Sequence, residues 1–467
     1  MTRKYGILGI ILRYEWLILL AVAPLLVFPN TVRSLALIVV PLLWIVRKIR
    51  TGRFFDRTPL DWPLALLMLM VLVSLFATYD ISQSLPKICG IVLGLAVYYC
   101  VVHRCTHRSA WAAAAGIFLL AGIGICLLAV LGSQWPDKVP FLSSLPTWLP
   151  LRITGLPGAE EGINANEVAG ALLWVVPLTW TLLIAALIYA GNLWKSIGHW
   201  RTVAVVTASL LISGLTTGIL TLTQSRAGLL GLVLASPIVI PVFSPGRTRR
   251  TAFIAFLLFL GASLTVVAAL GPGIMGSAFE TDATSEGSIV SLHSMEGRLE
   301  IWSRSIYGIQ DFAFTGMGMN TFREVVHILY PLFHIGPDTN IGHAHNEFLQ
   351  AALDLGIPGL IAFLSVNLGA FWMLAQTWKR RGRLPFPESL SRSLILGLGG
   401  GLAAHMIYGL LDAVALGAKP GIIWWMLLGL IASLYQRPAL RAKQQESAGA
   451  RGPAPRCALS ASRGAGE

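Results

Sequence analysis

The sequence predicts an all-α polytopic membrane protein, and its composition and its apolar stretches carry that prediction. Apolar residues make up 55% of the 467 residues, charged residues make up only 12%, and the mean hydropathy is +0.70. A soluble domain carries about 25% charged residues. Apolar stretches also recur along the chain, many close to the ~20 residues that cross a hydrocarbon core of ~30 Å.

We expect about twelve transmembrane helices, of which the second and third are short. They are predicted near residues 12–29, 34–46, 62–77, 86–103, 110–131, 165–190, 202–223, 227–243, 251–271, 347–376, 393–412 and 420–435. Because further spans follow the first apolar stretch, that stretch is not expected to be a cleaved signal peptide. No internal repeat is visible.

Basic residues are unevenly divided between the two sides of this predicted bundle. If the N-terminus is cytoplasmic, 26 of the 35 Lys and Arg residues lie on its side and nine lie on the other. Cytoplasmic loops are enriched in Lys and Arg, so both termini are predicted to be cytoplasmic. The net charge of +13 then belongs mainly to short loops near anionic headgroups, and we expect no nucleic-acid partner.

The prediction divides the chain into four regions. They are residues 1–271 with nine spans and an outward Trp- and Pro-rich segment at 132–164, a large outward loop at 272–346, three spans within 347–441, and a disordered tail at 442–467. Within the large loop, MEGRLEIWSRSIYGIQDF predicts a helix. Thr321-x-x-Glu324 fits a capping box at the start of a second, shorter helix. No cysteine has a partner on the outward side, so we expect no disulfide.

Arg226 is the only charged residue between Thr202 and Gly246, in the turn TLTQSRAGLLG between two predicted spans. A guanidinium at that depth is costly unless it meets an anion or water. One interpretation is an arginine that anchors the turn at the headgroups. The other is a phosphate clamp, because the planar guanidinium binds phosphate oxygens in pairs, with Gln224 beside it.

Arg298 is a second candidate for binding an anion. The 272–346 loop holds eight acidic residues against three arginines, which suits one arginine used at close range better than a general anion trap. The alternative is an ion pair with Glu296 or Glu300 on a solvated helix. Arg152 and Lys87, at outward ends of spans, are weaker candidates for the same anion or are interface anchors.

His345 stands where the large loop enters a predicted span, in the sequence His343-Ala-His345-Asn346. It is a polar cap, a metal ligand together with His343 and either His334 or Asp338, or a general base that takes a proton from a hydroxyl. The metal interpretation is the weakest, because zinc needs three or four convergent ligands. Asn346 would orient the ring or bind an acceptor.

Asp354 lies further along the same predicted span, before a break at Gly356, Pro358 and Gly359. A carboxylate inside a membrane is a candidate functional group. Here it either binds substrate or satisfies the backbone that the break loosens.

The spacing His345-Asn346-x9-Gly356-x2-Gly359 resembles the signature of the bacterial O-antigen ligase and polymerase superfamily. The QSRAG turn at Arg226 and the stretch Arg152…Asn166-Glu167-x-Ala are similar to the family layout as well. The family usually has Glu where this chain has Asp354. The resemblance runs mainly from Arg298 to Gly359 and is fairly specific in a chain with one dominant outward loop.

The resemblance implies a GT-C-like glycosyltransferase in the bacterial inner membrane, with about twelve spans and a helical periplasmic loop that carries the active site. It implies transfer with inversion from an undecaprenyl diphosphate-linked polysaccharide to lipid A–core oligosaccharide, with no metal or other cofactor. We expect membrane lipids around a monomer. The implied catalytic residues are Arg226, Arg298 and His345, and the substrate-binding candidates are Lys87, Arg152, Asn166, Gln224, Asn346 and Asp354.

Three alternatives remain open at this point. An O-antigen polymerase would use the same donor but extend a lipid-linked chain. A protein O-oligosaccharyltransferase is a further relative, although no additional large outward domain is visible near the C-terminus. A polytopic transporter fits less well, because the polar residues concentrate outside the spans.

Overall fold

The computed structural model describes residues 6–133, 163–239, 295–336 and 339–449, together with positions 254, 258 and 261. This described part is helical and contains no strand, as the sequence predicts. Its α-helices are α1 (Ile7–Arg13), α2 (Glu15–Val27), α3 (Val39–Thr51), α4 (Asp61–Ser74), α5 (Ile81–Arg104), α6 (Arg108–Gly132), α7 (Ala165–Leu173), α8 (Val176–Ile188), α9 (Ala190–Ile197), α10 (His199–Leu222), α11 (Arg226–Ala235), α12 (Met295–Asp311), α13 (Phe322–Leu329), α14 (Glu347–Lys379), α15 (Glu388–Tyr408) and α16 (Ile422–Gly449).

The protein is a polytopic membrane protein. Within the described residues, five helices are long and apolar enough to cross a membrane: α5, α6, α10, α14 and α15. The number reaches seven if α1 with α2, and α7 with α8, each form one bent span. The predicted stretch at 251–271 lies almost wholly outside the described residues, and each of the other eleven overlaps a helix. Twelve spans and a GT-C-like fold therefore stay predictions.

The helices pack as one bundle around a continuous apolar core. In that bundle α14 lies against α4 and α16, and α15 lies between α8 and α11. Glycines let α15 approach α8 closely: a Cβ at Gly397 would lie 2.4 Å from Thr181 Oγ1, and one at Gly401 would lie 2.5 Å from the Trp174 carbonyl oxygen. Small residues at such contacts are typical of membrane bundles.

The segment 295–346 carries a smaller apolar core of its own, built on Ile301, Phe322 and Val326. The predicted helix at its start is confirmed as α12. The predicted capping box at Thr321 is wrong, because Thr321 has helical backbone angles and its side chain makes no capping hydrogen bond. A side chain caps a helix from an extended backbone, which Thr321 lacks.

The C-terminal helix is longer than predicted. It continues to Gly449, so residues 442–449, which the sequence assigned to a disordered tail, are helical. Ala, Gln, Glu and Lys in this stretch are good helix formers, which explains the extension.

The bundle has two chemically different ends, which α5 joins. At its start, Ser84 Oγ donates a hydrogen bond to the Met319 carbonyl oxygen at 2.6 Å. At its other end, Arg104 donates to the Arg13 carbonyl oxygen at 2.8 Å. We call the first end, which carries the segment 295–346, the loop end, and the second the basic end.

Candidate active site

His345 lies in a constrained turn immediately before α14. Its backbone is left-handed, with φ +46°, a conformation that a non-glycine residue keeps only when its surroundings hold it. Here the His345 N–H donates to His343 Nδ1 at 3.1 Å, and its carbonyl accepts from Trp302 Nε1 at 3.3 Å. The turn therefore fixes the direction of the His345 ring.

Asp412 is the partner of His345 and was missed by the sequence reasoning. Its Oδ1 lies 3.3 Å from His345 Nδ1, and both residues are buried. A proton on Nδ1 would donate to this carboxylate and leave the lone pair of Nε2 for another group. Asp412 is the only acidic residue between Glu388 and Glu446, and the rule that drew attention to Asp354 could have found it.

The loop that carries Asp412 is tied to the start of α14. The Glu347 N–H donates to the Gly409 carbonyl oxygen at 2.7 Å. Asn346 Nδ2 donates to the Leu410 carbonyl oxygen at 2.9 Å, while its Oδ1 caps α14 by accepting two backbone N–H groups at 3.0 Å. The Asn346 amide is thus already engaged within the protein. Its role in substrate binding stays a prediction.

Arg298, on α12, reaches the same carboxylate. Its Nη2 lies 3.7 Å from Asp412 Oδ2, and its Nε has no hydrogen-bond partner among the described residues. The alternative of a pair with Glu300 is not what the structure shows. Glu300 instead contacts Arg304 at 3.5 Å and accepts the Phe333 and His334 N–H groups. Within the described part of the chain, the charged partner of Arg298 is therefore Asp412, the residue that also pairs with His345.

Burial and neighbouring charges determine the protonation of two site groups. Burial lowers the pKa of His343 to about 3, and the adjacent His345 ring adds to the effect. Burial opposes ionisation of Asp412, but the hydrogen bond from His345 and the Arg298 charge outweigh it and lower the pKa of that carboxyl. Near neutral pH, His343 is therefore uncharged and Asp412 is an anion.

The described residues hold one group with the spacing of a metal site. The ligand atoms of His343, His345 and Asp412 lie within 4.8 Å of one another. His343 argues against a metal here: its Nδ1 accepts the His345 N–H, so the proton of the neutral ring is on Nε2, the atom 3.8 Å from Asp412. A metal needs the lone pair of that atom. His334 is on the exposed surface and Asp338 lies outside the described residues.

Arg226 is the first residue of α11. Ser225 caps this helix by accepting the Gly228 N–H at 3.2 Å, and Gln224 before it has a left-handed backbone. Gly231 of α11 packs on the Ala404 carbonyl oxygen of α15, and α15 ends four residues before Asp412. Arg226 and Gln224 thus lie at the loop end of the bundle.

Two further candidates lie at this end. The Asn166 carbonyl oxygen accepts from the Tyr408 hydroxyl at 2.9 Å, which joins α7 to the end of α15. Lys87 of α5 lies close enough for its charge to act on His343, Asp354 and Glu167. Arg152 lies outside the described residues.

Comparison with known protein families gives a match for part of the chain. Residues 208–364 match the family model described as O-antigen ligase. This part of the chain is similar to the O-antigen ligase family. The match spans about a third of the chain, and no curated protein matches it.

The matched segment contains Arg226, Arg298 and His345, the three predicted catalytic residues, but Lys87 and Asp412 lie outside it. The structure brings His345 and Arg298 together around Asp412. Lys87 lies close enough for its positive charge to act on the neighbouring His343. Asp354, also inside the segment, is buried, and its Oδ1 accepts from Gln350 Nε2 at 2.8 Å and from the Asn320 N–H at 3.2 Å. Its carboxylate is therefore engaged by Gln350 of the same helix and by the backbone of Asn320.

Proposed function

We propose that the protein is an inverting, metal-independent glycosyltransferase that completes lipopolysaccharide. Its donor is O-antigen polysaccharide on undecaprenyl diphosphate, and its acceptor is a sugar hydroxyl of lipid A–core oligosaccharide. The pairing of His345 with Asp412, inside reach of Arg298, is the observation that carries the proposal. It joins a base, the anion that orients the base, and a cation for a departing diphosphate.

In this reaction, His345 Nε2 takes the proton of the acceptor hydroxyl as its oxygen attacks the anomeric carbon. The new carbon–oxygen bond forms as the bond between that carbon and the diphosphate breaks, and the single displacement inverts the configuration. Asp412 stabilises the imidazolium that results, as a buried carboxylate does in hydrolase triads. The electron pair of the broken bond leaves with undecaprenyl diphosphate.

Arginines and Lys87 would supply the electrostatic stabilisation of this leaving group. Preorganised cations in a site shielded from water are effective where charge develops. Arg298 is mostly buried, so an anion that reaches it meets a weakly screened charge. Arg226 would bind the same diphosphate from the N-terminal end of α11, where helix N–H groups also favour anions.

The substrates also determine which way the bundle would be oriented. Both are lipid-linked glycans, so we propose that the loop end faces the periplasm at the surface of the inner membrane. The basic end would then face the cytoplasm, as the distribution of Lys and Arg favours.

A reconstituted assay tests the role of His345. Purified protein in liposomes would receive lipid A–core and the undecaprenyl diphosphate glycan that accumulates in a deletion strain of the native host. We expect His345→Ala to lose transfer by about 10²–10⁴-fold, the usual value of general base catalysis. Donor affinity, measured separately, should be largely kept, because the binding groups are elsewhere.

His343→Ala is the matched control, since both rings lie beside Asp412 but only His345 makes a hydrogen bond to it. Its loss should be milder than that of His345→Ala, because this variant removes one support of the turn but keeps the base. Equal losses in the two variants would indicate a shared metal or a structural role, and an active His345→Ala enzyme would remove the base. Glycan found on a second undecaprenyl-linked chain instead of lipid A–core would identify a polymerase.

A further inference from the structure

A break in α14 receives a turn of the preceding segment. At Gly356 the backbone leaves the helical region, with φ +71° and ψ 178°. The Ile357 N–H donates to the Ala313 carbonyl oxygen, and the Met317 N–H donates to the Leu353 carbonyl oxygen, both at 2.7 Å. Residues 312–320, which we call the docking turn, thus satisfy backbone groups that the break exposes.

Asp354 attaches the end of the docking turn to α14. As described above, its Oδ1 accepts the Asn320 N–H and also Gln350 Nε2. Asn320 has a left-handed backbone, and its side chain donates to the Gln83 carbonyl oxygen of α5 at 3.3 Å. Asp354 Oδ1 therefore joins the docking turn to α14, and the Asn320 side chain extends this connection to α5.

Gln350 continues this chain of hydrogen bonds to the His345 turn. Its Oε1 accepts the N–H of Ala344 at 2.8 Å, and both residues are buried. Only one orientation of the amide satisfies its two partners, because Ala344 N–H must meet an acceptor and Asp354 Oδ1 must meet a donor. Ala344 is the residue directly before His345, whose left-handed backbone needs support from its neighbours.

We propose that Gln350 is a positioning residue that holds the His345 turn in register with Asp412 by linking it to the docked break. This inference rests on the proposed function, since it assumes that the position of the His345 ring limits transfer. Gln350 is suited to the task because a neutral amide donates and accepts at once. A misplacement of about 1 Å can cost about 10²-fold in rate, whereas donor binding by arginines on other helices would be little changed.

The polarity of the link gives a test with a built-in rescue. Gln350→Glu keeps an acceptor for the Ala344 N–H but sets a carboxylate against Asp354, and like charges this close cannot both ionise easily. Asp354→Asn removes Oδ2 but keeps Oδ1, which can still accept both Gln350 Nε2 and the Asn320 N–H, so this single variant should be mild. In the double variant Gln350→Glu/Asp354→Asn, a rotation of the new amide at 354 lets its Nδ2 donate to the new carboxylate at 350 while its Oδ1 accepts the Asn320 N–H. The link is then restored with its direction reversed.

The measurements are kcat, KM for lipid A–core, donor affinity and melting temperature, made in the same liposome and detergent preparations. We expect Gln350→Leu and Gln350→Glu each to lower kcat by about 10²-fold with KM and donor affinity nearly unchanged. The double variant should recover most of the wild-type kcat. The Gln350→Glu enzyme alone should regain activity as the pH falls, because a shared proton then restores one donor between the two carboxylates.

Each result supports or overturns the inference. Wild-type kcat in Gln350→Leu would overturn it, as would a double variant no better than its worse parent. If the Gln350 variants lose kcat and also melt at a lower temperature, and the double variant restores neither, then Gln350 has a purely structural role and the inference is overturned as well. His345→Ala, run in parallel, separates the two proposals: if that variant is active, the proposed base has failed, whatever the Gln350 variants do.

Discussion

The two nitrogen atoms of His345 have different roles in the proposed reaction, because only Nδ1 contacts Asp412. Nδ1 faces Asp412 at 3.3 Å, so the ring would keep its proton on that side and use Nε2 toward a substrate hydroxyl. His343 supports the backbone of the same turn, and its lowered pKa of about 3 keeps it uncharged. One imidazole is thus assigned to the proposed proton transfer, and its neighbour supports the backbone of the turn.

Arg226 provides a prediction about the donor diphosphate. We expect both Arg226→Ala and Arg226→Lys to lose transfer, since an ammonium cannot reproduce the bidentate contact of a guanidinium with phosphate oxygens. Both variants should insert and accumulate normally. The lipopolysaccharide ladder of complemented cells gives the measurement. Arg323→Lys is the control, because Arg323 is paired with Glu324 and Asn340 at the surface. Full activity in Arg226→Lys would contradict the clamp.

Removal of metal ions tests the remaining interpretation of the histidine pair. With arginines as the cations for the leaving diphosphate, transfer by the purified protein should continue in excess EDTA. The hydrogen bond from the His345 N–H to His343 Nδ1 gives the physical reason, because it assigns the proton of His343 to the atom that a metal would need. Activity lost on chelation and restored by Zn²⁺ or Mg²⁺ would reverse this conclusion.

Single residues differed in how far the sequence could identify them. The sequence singled out His345 because it stands where the loop enters a span, and Arg298 because it is one of only three arginines in an acidic loop. Asp412 could have been singled out as an acidic residue in an apolar stretch, but its pairing with His345 could not, because the two residues are 67 positions apart. Asn346 and Asp354 were found, but the sequence could not show that hydrogen bonds within the protein already engage both side chains. Partners so distant in sequence become visible only when the helices pack.

At the scale of elements, the break in α14 is the feature that shapes the loop end. The sequence predicted a break from Gly356, Pro358 and Gly359, and the structure confirms it. What the sequence could not supply is the partner of the break, because the docking turn lies some forty residues earlier. Gly316 of the docking turn and Gly356 of the break face each other. A Cβ on either residue would lie within 2.6 Å of backbone atoms of the other segment.

Gly356→Ala should therefore be damaging. A backbone with positive φ and ψ near 180° is essentially restricted to glycine and costs other residues about 1–3 kcal/mol. The added Cβ would also lie 2.3 Å from the Phe314 carbonyl oxygen. We expect a lower melting temperature in detergent and loss of transfer. Gly214→Ala, in the middle of α10 with nothing within 4 Å of the added atom, is the matched control and should melt no lower than wild type. Equal melting of the two variants would show that the docking turn contributes little.

At the scale of the whole molecule, one end of the bundle carries the segment with the candidate active site and the other end carries basic residues. This difference favours one orientation of the protein in the membrane. α5 alone is about 36 Å long at ~1.5 Å per residue, enough for a hydrocarbon core of ~30 Å. Its start contacts the segment that carries Arg298 and the docking turn, and its end contacts Arg13. Arg13 and Arg104, which the sequence assigned to the cytoplasmic side, are thus separated from the segment that carries Arg298 by about the length of a membrane span.

This separation predicts which surfaces a membrane-impermeant thiol reagent reaches. Phe333 lies in the segment at the loop end and Phe54 lies beside α3 at the basic end, and both side chains are exposed. The described native cysteines are buried, so Phe333→Cys and Phe54→Cys can be compared in a Cys457→Ser background with little other labelling.

In right-side-out spheroplasts, we expect the reagent to label Phe333→Cys at once and Phe54→Cys only after detergent is added. The reason is the excess of Lys and Arg at the basic end, which resists translocation across the membrane. The reverse pattern would orient His345 toward the cytoplasm, where an acceptor already carried to the outer face of the membrane could not reach it. Labelling of both variants before detergent would mean two orientations in one population, and only the fraction with an outward loop end could then transfer glycan.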